Sequence, residues 1–155
     1  MPTKLLLALL LFLPASFAGA VNMTSGRLLG DLSWEFASEM PEDPADFAEL
    51  LAERSRLAGA SQLPADFKKV IAARSVVVIY IGGGYDADGR WASKTETLVL
   101  EVPARRITLG EVLQGVHRAF SAAGKNMTDQ YFEGFIPMSL DSPQEVAVLW
   151  MTIGS

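Results

Sequence analysis

The chain has 155 residues, half of them apolar and a fifth charged, with 18 acidic and 13 basic side chains and no cysteine. That balance fits one globular domain with a real core and argues against disorder. A net charge of −5, with no basic cluster beyond Arg105-Arg106, argues against nucleic-acid binding. The lack of cysteine excludes a disulfide framework, a thiolate metal site, a cysteine nucleophile and a lipid-modified cysteine.

The chain opens with Lys4, an unbroken apolar run over residues 5–13, and Pro14. Small residues then stand at −3 and −1 of two cuts, Ser16/Ala18 or Ala18/Ala20. The apolar run is too short to span a bilayer as a helix. The pattern predicts a cleavable signal peptide over 1–20, hence a secreted or periplasmic protein with no stable membrane anchor after cleavage. Removing residues 1–20, which hold Lys4 and no acid, takes the net charge from −5 to −6. The only two asparagines, Asn22 and Asn126, both stand in Asn-Met-Thr. They are glycosylation candidates in a eukaryotic pathway and carry no such meaning in a bacterial periplasm.

Residues 21–43 read as an N-terminal arm ahead of a single domain over 44–155. Trp34 and Phe36 alternate with polar neighbours, the pattern of a short edge strand or an arm packed on the body. The first helix is well marked: Asp43 is the N-cap, Pro44 the first helical residue, and Asp46 sits where the helix dipole favours an anion. Phe47, Leu50 and Leu51 share a face that Arg54 interrupts, and Gly59 is the stop. Pro44-Ala45-Asp46-Phe47 recurs as Pro64-Ala65-Asp66-Phe67, with seven identities over twelve positions at an offset of twenty. This predicts a second helix ending near Arg74, either a duplicated partner of the first or a second use of the same starting grammar.

Residues 76–81 form a continuous β-branched and aromatic run. A strand without a polar face is expected at the centre of a sheet, covered on both sides. Gly82-Gly83-Gly84 is expected to end it, and Gly89 to take positive φ in the turn. Residues 91–102 return as a strand whose polar middle, 93–97, meets solvent. Thr108 and Glu111 have capping-box spacing. Leu109, Val112, Leu113, Val116 and Phe120 then fall within about 80° of arc, a stripe that must lie on the sheet. Residues 131–138 and 145–153 complete the chain as two more strands. The expected fold is α+β: an antiparallel four-stranded sheet in β-β-α-β-β order, one long amphipathic helix on one face and the N-terminal helices covering the other.

The segment 82–90 is the most polar, glycine-rich stretch. It lacks the ligand positions of a calcium loop and the Gly-Lys-Ser/Thr of a phosphate loop, and reads as a hairpin connection. Tyr85, Asp86, Asp88 and Arg90 are its binding candidates. His117, the only histidine, falls at the margin of the apolar stripe. One histidine cannot form a histidine metal cluster, and no serine stands in a Gly-x-Ser-x-Gly setting. Asp86 with Asp88, or Asp129 with Glu133, are the carboxylate pairs that a hydrolase would use. The aromatic, acidic stretch 128–135 reads as the entry to a strand with Phe132 or Phe135 facing the core. No metal or cofactor is expected. The leading expectation is an exported module that binds a protein or a small ligand. The alternatives are a small carboxylate-dependent hydrolase and a structural subunit of a secreted oligomer.

Overall fold

A computed structural model describes residues 26–32, 34–59, 62–85, 87–124 and 130–154. The signal-peptide segment, Asn22 and Asn126 lie outside them. The fold is mixed α+β. Its main sheet has five strands: β1 (Trp34–Glu35), β3 (Ser75–Tyr85), β4 (Trp91–Glu101), β6 (Tyr131–Ser139) and β7 (Val146–Gly154). Their spatial order is β1-β6-β7-β3-β4. Two short strands, β2 (Val70–Ile71) and β5 (Ile107–Thr108), pair separately. Among the described residues two α-helices accompany them, α1 (Pro44–Leu57) and α2 (Leu109–Ala122). Among the described residues no helix is long and apolar enough to cross a membrane.

The sheet departs from the expected antiparallel four. β1 adds a fifth strand by pairing with β6, and β3 runs parallel to β7, with Ser75 opposite Val146 and Ile79 opposite Trp150. The parallel pair results from the order of elements. β4 ends at the edge where β3 began, α2 makes one traverse to the opposite edge, β6 descends and β7 ascends. Two hairpins joined by one helical traverse give β3 and β7 the same direction, so once adjacent they must be parallel.

Both helices carry the signals their sequences advertise. The Asp43 carboxylate accepts a hydrogen bond from the Ala45 amide at 2.7 Å, and Gly59 takes φ +90° beyond the last turn of α1. At α2, Thr108 and Glu111 close a reciprocal capping box, satisfying two amides that a helix start leaves orphaned. All five stripe residues are buried.

The expected second helix does not form. Ala65–Lys68 is a single 3-10 turn, Lys69 is extended, and Val70-Ile71 pairs with Ile107-Thr108. The two copies of Pro-Ala-Asp-Phe diverge in their downstream residues. Phe47 is succeeded by Ala, Glu and Leu, all strong helix formers; Phe67 is succeeded by two lysines and the β-branched pair Val70-Ile71. The Asp66 carboxylate instead accepts the Leu29 amide at 2.8 Å.

The layering also differs from expectation. α1 does not cover the second face of the sheet but packs beside α2 on the first. Phe47 of α1 meets Trp34 edge-on at 5.1 Å between ring centroids, and Trp34 bonds to His117 on α2. Gln114 of α2 donates to the carbonyls of Pro41 and Glu42, just ahead of α1. The arm joins the same core: Leu29, Leu32, Trp34 and Phe36 are all buried in it. The described residues form two layers, helices on one side and a sheet on the other.

Candidate functional site

The strands alternate their side chains between the two layers. Val76, Val78 and Tyr80 of β3 and Ala147, Leu149 and Met151 of β7 face the helices and are buried. Their neighbours point the other way. Registers place two rows across that outer face: Ile136, Trp150, Ile79 and Thr97, then Ser139, Val148, Val77 and Val99. Neither row holds a charge. Among the described residues no helix or loop lies over them, and the aliphatic groups shield one another only in part. Val99 is 41% exposed and Ile81, further along β3, is 54% exposed. A contiguous apolar patch of this kind on a small domain marks a contact surface. The β-branched run that predicted a doubly covered strand forms a central strand with one face that the described residues leave uncovered.

One edge of the sheet extends into a ribbon. β3 pairs with β7 only as far as Ile79, yet pairs with β4 without a break to Tyr85. Residues 80–85 and 91–96 thus continue as a two-stranded ribbon about 20 Å long that does not pair with β7. Gly82-Gly83-Gly84, expected to end the strand, lie inside it. Gly82 has a spatial reason: a Cβ there would sit 3.0 Å from Cδ of Glu96. The bare glycine lets the Glu96 side chain lie against the strand, where its carboxylate accepts the Tyr80 hydroxyl at 2.7 Å. The Tyr80 ring in turn packs on Phe120 at 5.0 Å.

The binding candidates read from the sequence cluster at the tip of this ribbon. Tyr85 is the last residue of β3, opposite Trp91. Asp88 and Arg90 are exposed on the connection, where Gly89 takes φ +74° as expected. Asp86 lies outside the described residues.

His117 is more deeply placed than its margin position suggests, only 4% exposed. Its Nδ1 accepts the Trp34 indole N–H at 2.9 Å. That bond requires the neutral ring with its proton on Nε2, and burial lowers the His117 pKa from its usual 6.5. A triad histidine has its Nδ1–H held by a carboxylate and a bare Nε2 facing the serine; here both nitrogens have the opposite assignment. Ser38 lines the same hollow as His117, but its hydroxyl accepts from Arg54 at 2.8 Å. The Arg54 guanidinium lies 4.9 Å over the Trp34 ring, which explains a cation on the inward side of α1. Nothing in the sequence ties residue 34 to residue 117, so this pair was not foreseeable; the only signal was an unpaired Trp in the arm and a His beside an apolar stripe.

The carboxylate pairs do not form a described site. Asp86 and Asp129 lie outside the described residues, and Glu133 is exposed, 4.0 Å from Arg27. Among the described residues no three acidic or histidine side chains cluster as a metal site would require. Phe132 and Phe135 both face the core. None of the family models, curated proteins or solved structures compared with the chain matches it.

Proposed function

We propose that the protein is an exported, non-enzymatic interaction module that holds a protein partner against the open face of its sheet. The observation carrying this reading is the uncharged double row across β6, β7, β3 and β4, centred on Trp150 and Ile79. A flat aliphatic surface suits a macromolecule; small ligands are held in concave pockets that bury most of their surface. Tryptophan at the centre of such a patch is the residue type that most often dominates protein–protein affinity.

The test is site-specific photocrosslinking in the cell that makes the protein. A benzophenone side chain replaces Trp150 in one version and Glu53, exposed on α1, in another. Discrete protein adducts at 150 and none at 53 are expected. Equal labelling at both positions, or none at either, would remove the open face as a binding surface.

A further inference from the structure

We infer that β4 is a self-pairing edge: two copies of the chain join their β4 strands antiparallel about a twofold axis through Thr95, making one continuous ten-stranded sheet. This uses the free edge of β4, a different surface from the open face above, and stands without that reading.

β4 ends the strand order, so among the described residues one side of it has no neighbour in the sheet. Natural sheets protect such edges by keeping them short, bulged or broken by proline. β4 has none of these: it runs eleven residues with unbroken register to β3 and no proline. Residues 92–95 are exposed, and half the strand belongs to the ribbon that does not pair with β7.

The charges distinguish the three registers centred on Lys94, Thr95 and Glu96. Twofold antiparallel pairing places residue i opposite a residue j of the other copy with a constant sum, and opposite residues share a face. With Thr95 on the axis, Lys94 of each copy meets Glu96 of the other, twice by symmetry. Ala92 meets Leu98, and Ser93 meets Thr97. Moving the axis to Lys94 or to Glu96 puts like charges directly opposite, which is destabilising. A lone lysine on an edge would repel a second copy; a lysine and a glutamate flanking the axis attract one. Glu96 is held in place by Tyr80, whose hydroxyl donates to its carboxylate at 2.7 Å.

The bulk of the molecule permits this arrangement. α2 crosses the C-terminal half of β4, where a Cβ on Gly115 would lie 3.1 Å from Leu100. Antiparallel pairing sends that half to opposite ends in the two copies, so the helices sit diagonally apart. Each ribbon then lies along the body of the other molecule, nine residues of each β4 are opposed (91–99), and the two open faces become one surface.

Sedimentation over a range of concentrations on the purified protein is the first test, with a concentration-dependent dimer expected. Lys94→Glu sets Glu opposite Glu and should weaken the dimer about tenfold or more. Adding Glu96→Lys restores complementarity and should restore the dimer. If that double variant does not fold, a cysteine placed in this cysteine-free chain decides. Cα atoms directly opposite are about 4.5–5.5 Å apart, within disulfide reach. Thr95→Cys should therefore crosslink rapidly on oxidation, while Thr97→Cys, about 13 Å from its mate in this register, should not. A monomer at every concentration would overturn the inference. So would a dimer indifferent to Lys94→Glu, or equal crosslinking at 95 and 97; those results would move any self-contact to the open face.

Discussion

The two faces of the sheet are made of the same residue types and have different surroundings. Val76 and Val78 look inward and are fully buried; Val77 and Ile79, one residue along, look outward and are only half-buried. Pattern alone makes these four alike. What separates them is supply: among the described residues α1, α2 and the arm all pack on one side. An aliphatic run thus specifies a strand and its neighbours, while the rest of the chain decides how many of its faces become core.

Substitutions on the two faces should differ by far more than their chemistry does. The largest effect is expected from Val116→Asp, which puts a carboxylate beneath the inner face. It should cost about 4 kcal/mol or more, most of the stability of an ordinary domain; soluble protein with a normal melting curve would break the comparison. Gly110→Ala comes next. Alanine normally improves a helix, but a Cβ at Gly110 would run into the Phe67 ring. The change should destabilise by about 1–3 kcal/mol, read from a denaturant midpoint.

The third effect is acid sensitivity. His117 has a lowered pKa when folded, so the unfolded chain binds the proton first. Stability is then fully present above about pH 6.5 and falls as the pH drops from there towards the folded value, by at most about 1.4 kcal/mol per pH unit. Protonation also sets two donors, the Trp34 indole and Nδ1, against each other. His117→Ala should lower stability overall and flatten this slope below about pH 6.5; an unchanged slope in melting experiments would assign it to other groups. The smallest effect belongs to the outer face: Val99→Thr should shift stability by no more than about 0.5 kcal/mol. A large loss there would mean that the face is covered in solution.

Features set by neighbouring residues were legible in the sequence. The two helix caps, the α2 stripe, the Gly59 and Gly89 turns and the inward Phe132 and Phe135 all depend on local spacing. The parallel β3–β7 pair was within reach too, since two apolar strands at the centre and one helical traverse require it. The missing helix at 65–74 shows where grammar fails: an identical start does not determine the continuation, and Val70-Ile71 found a partner in Ile107-Thr108. The Trp34–His117 bond joins residues 83 apart, and a single sequence carries no sign of such a pairing. The bare sheet face was hidden for a related reason, because exposure depends on where every other element comes to rest.

The central position of β7 bears on how the chain reaches its native state. Strands 75–85 and 91–101 can zip together as soon as both exist, but β6 and β1 reach them only through residues 146–154. A ribosome delivering the polypeptide from its N-terminus makes that linking strand after the other four, and contacts of such long sequence separation are slow to close. Until then Trp34, Phe132 and the α2 stripe have no completed sheet to rest on, so the sheet should close in one late, cooperative step.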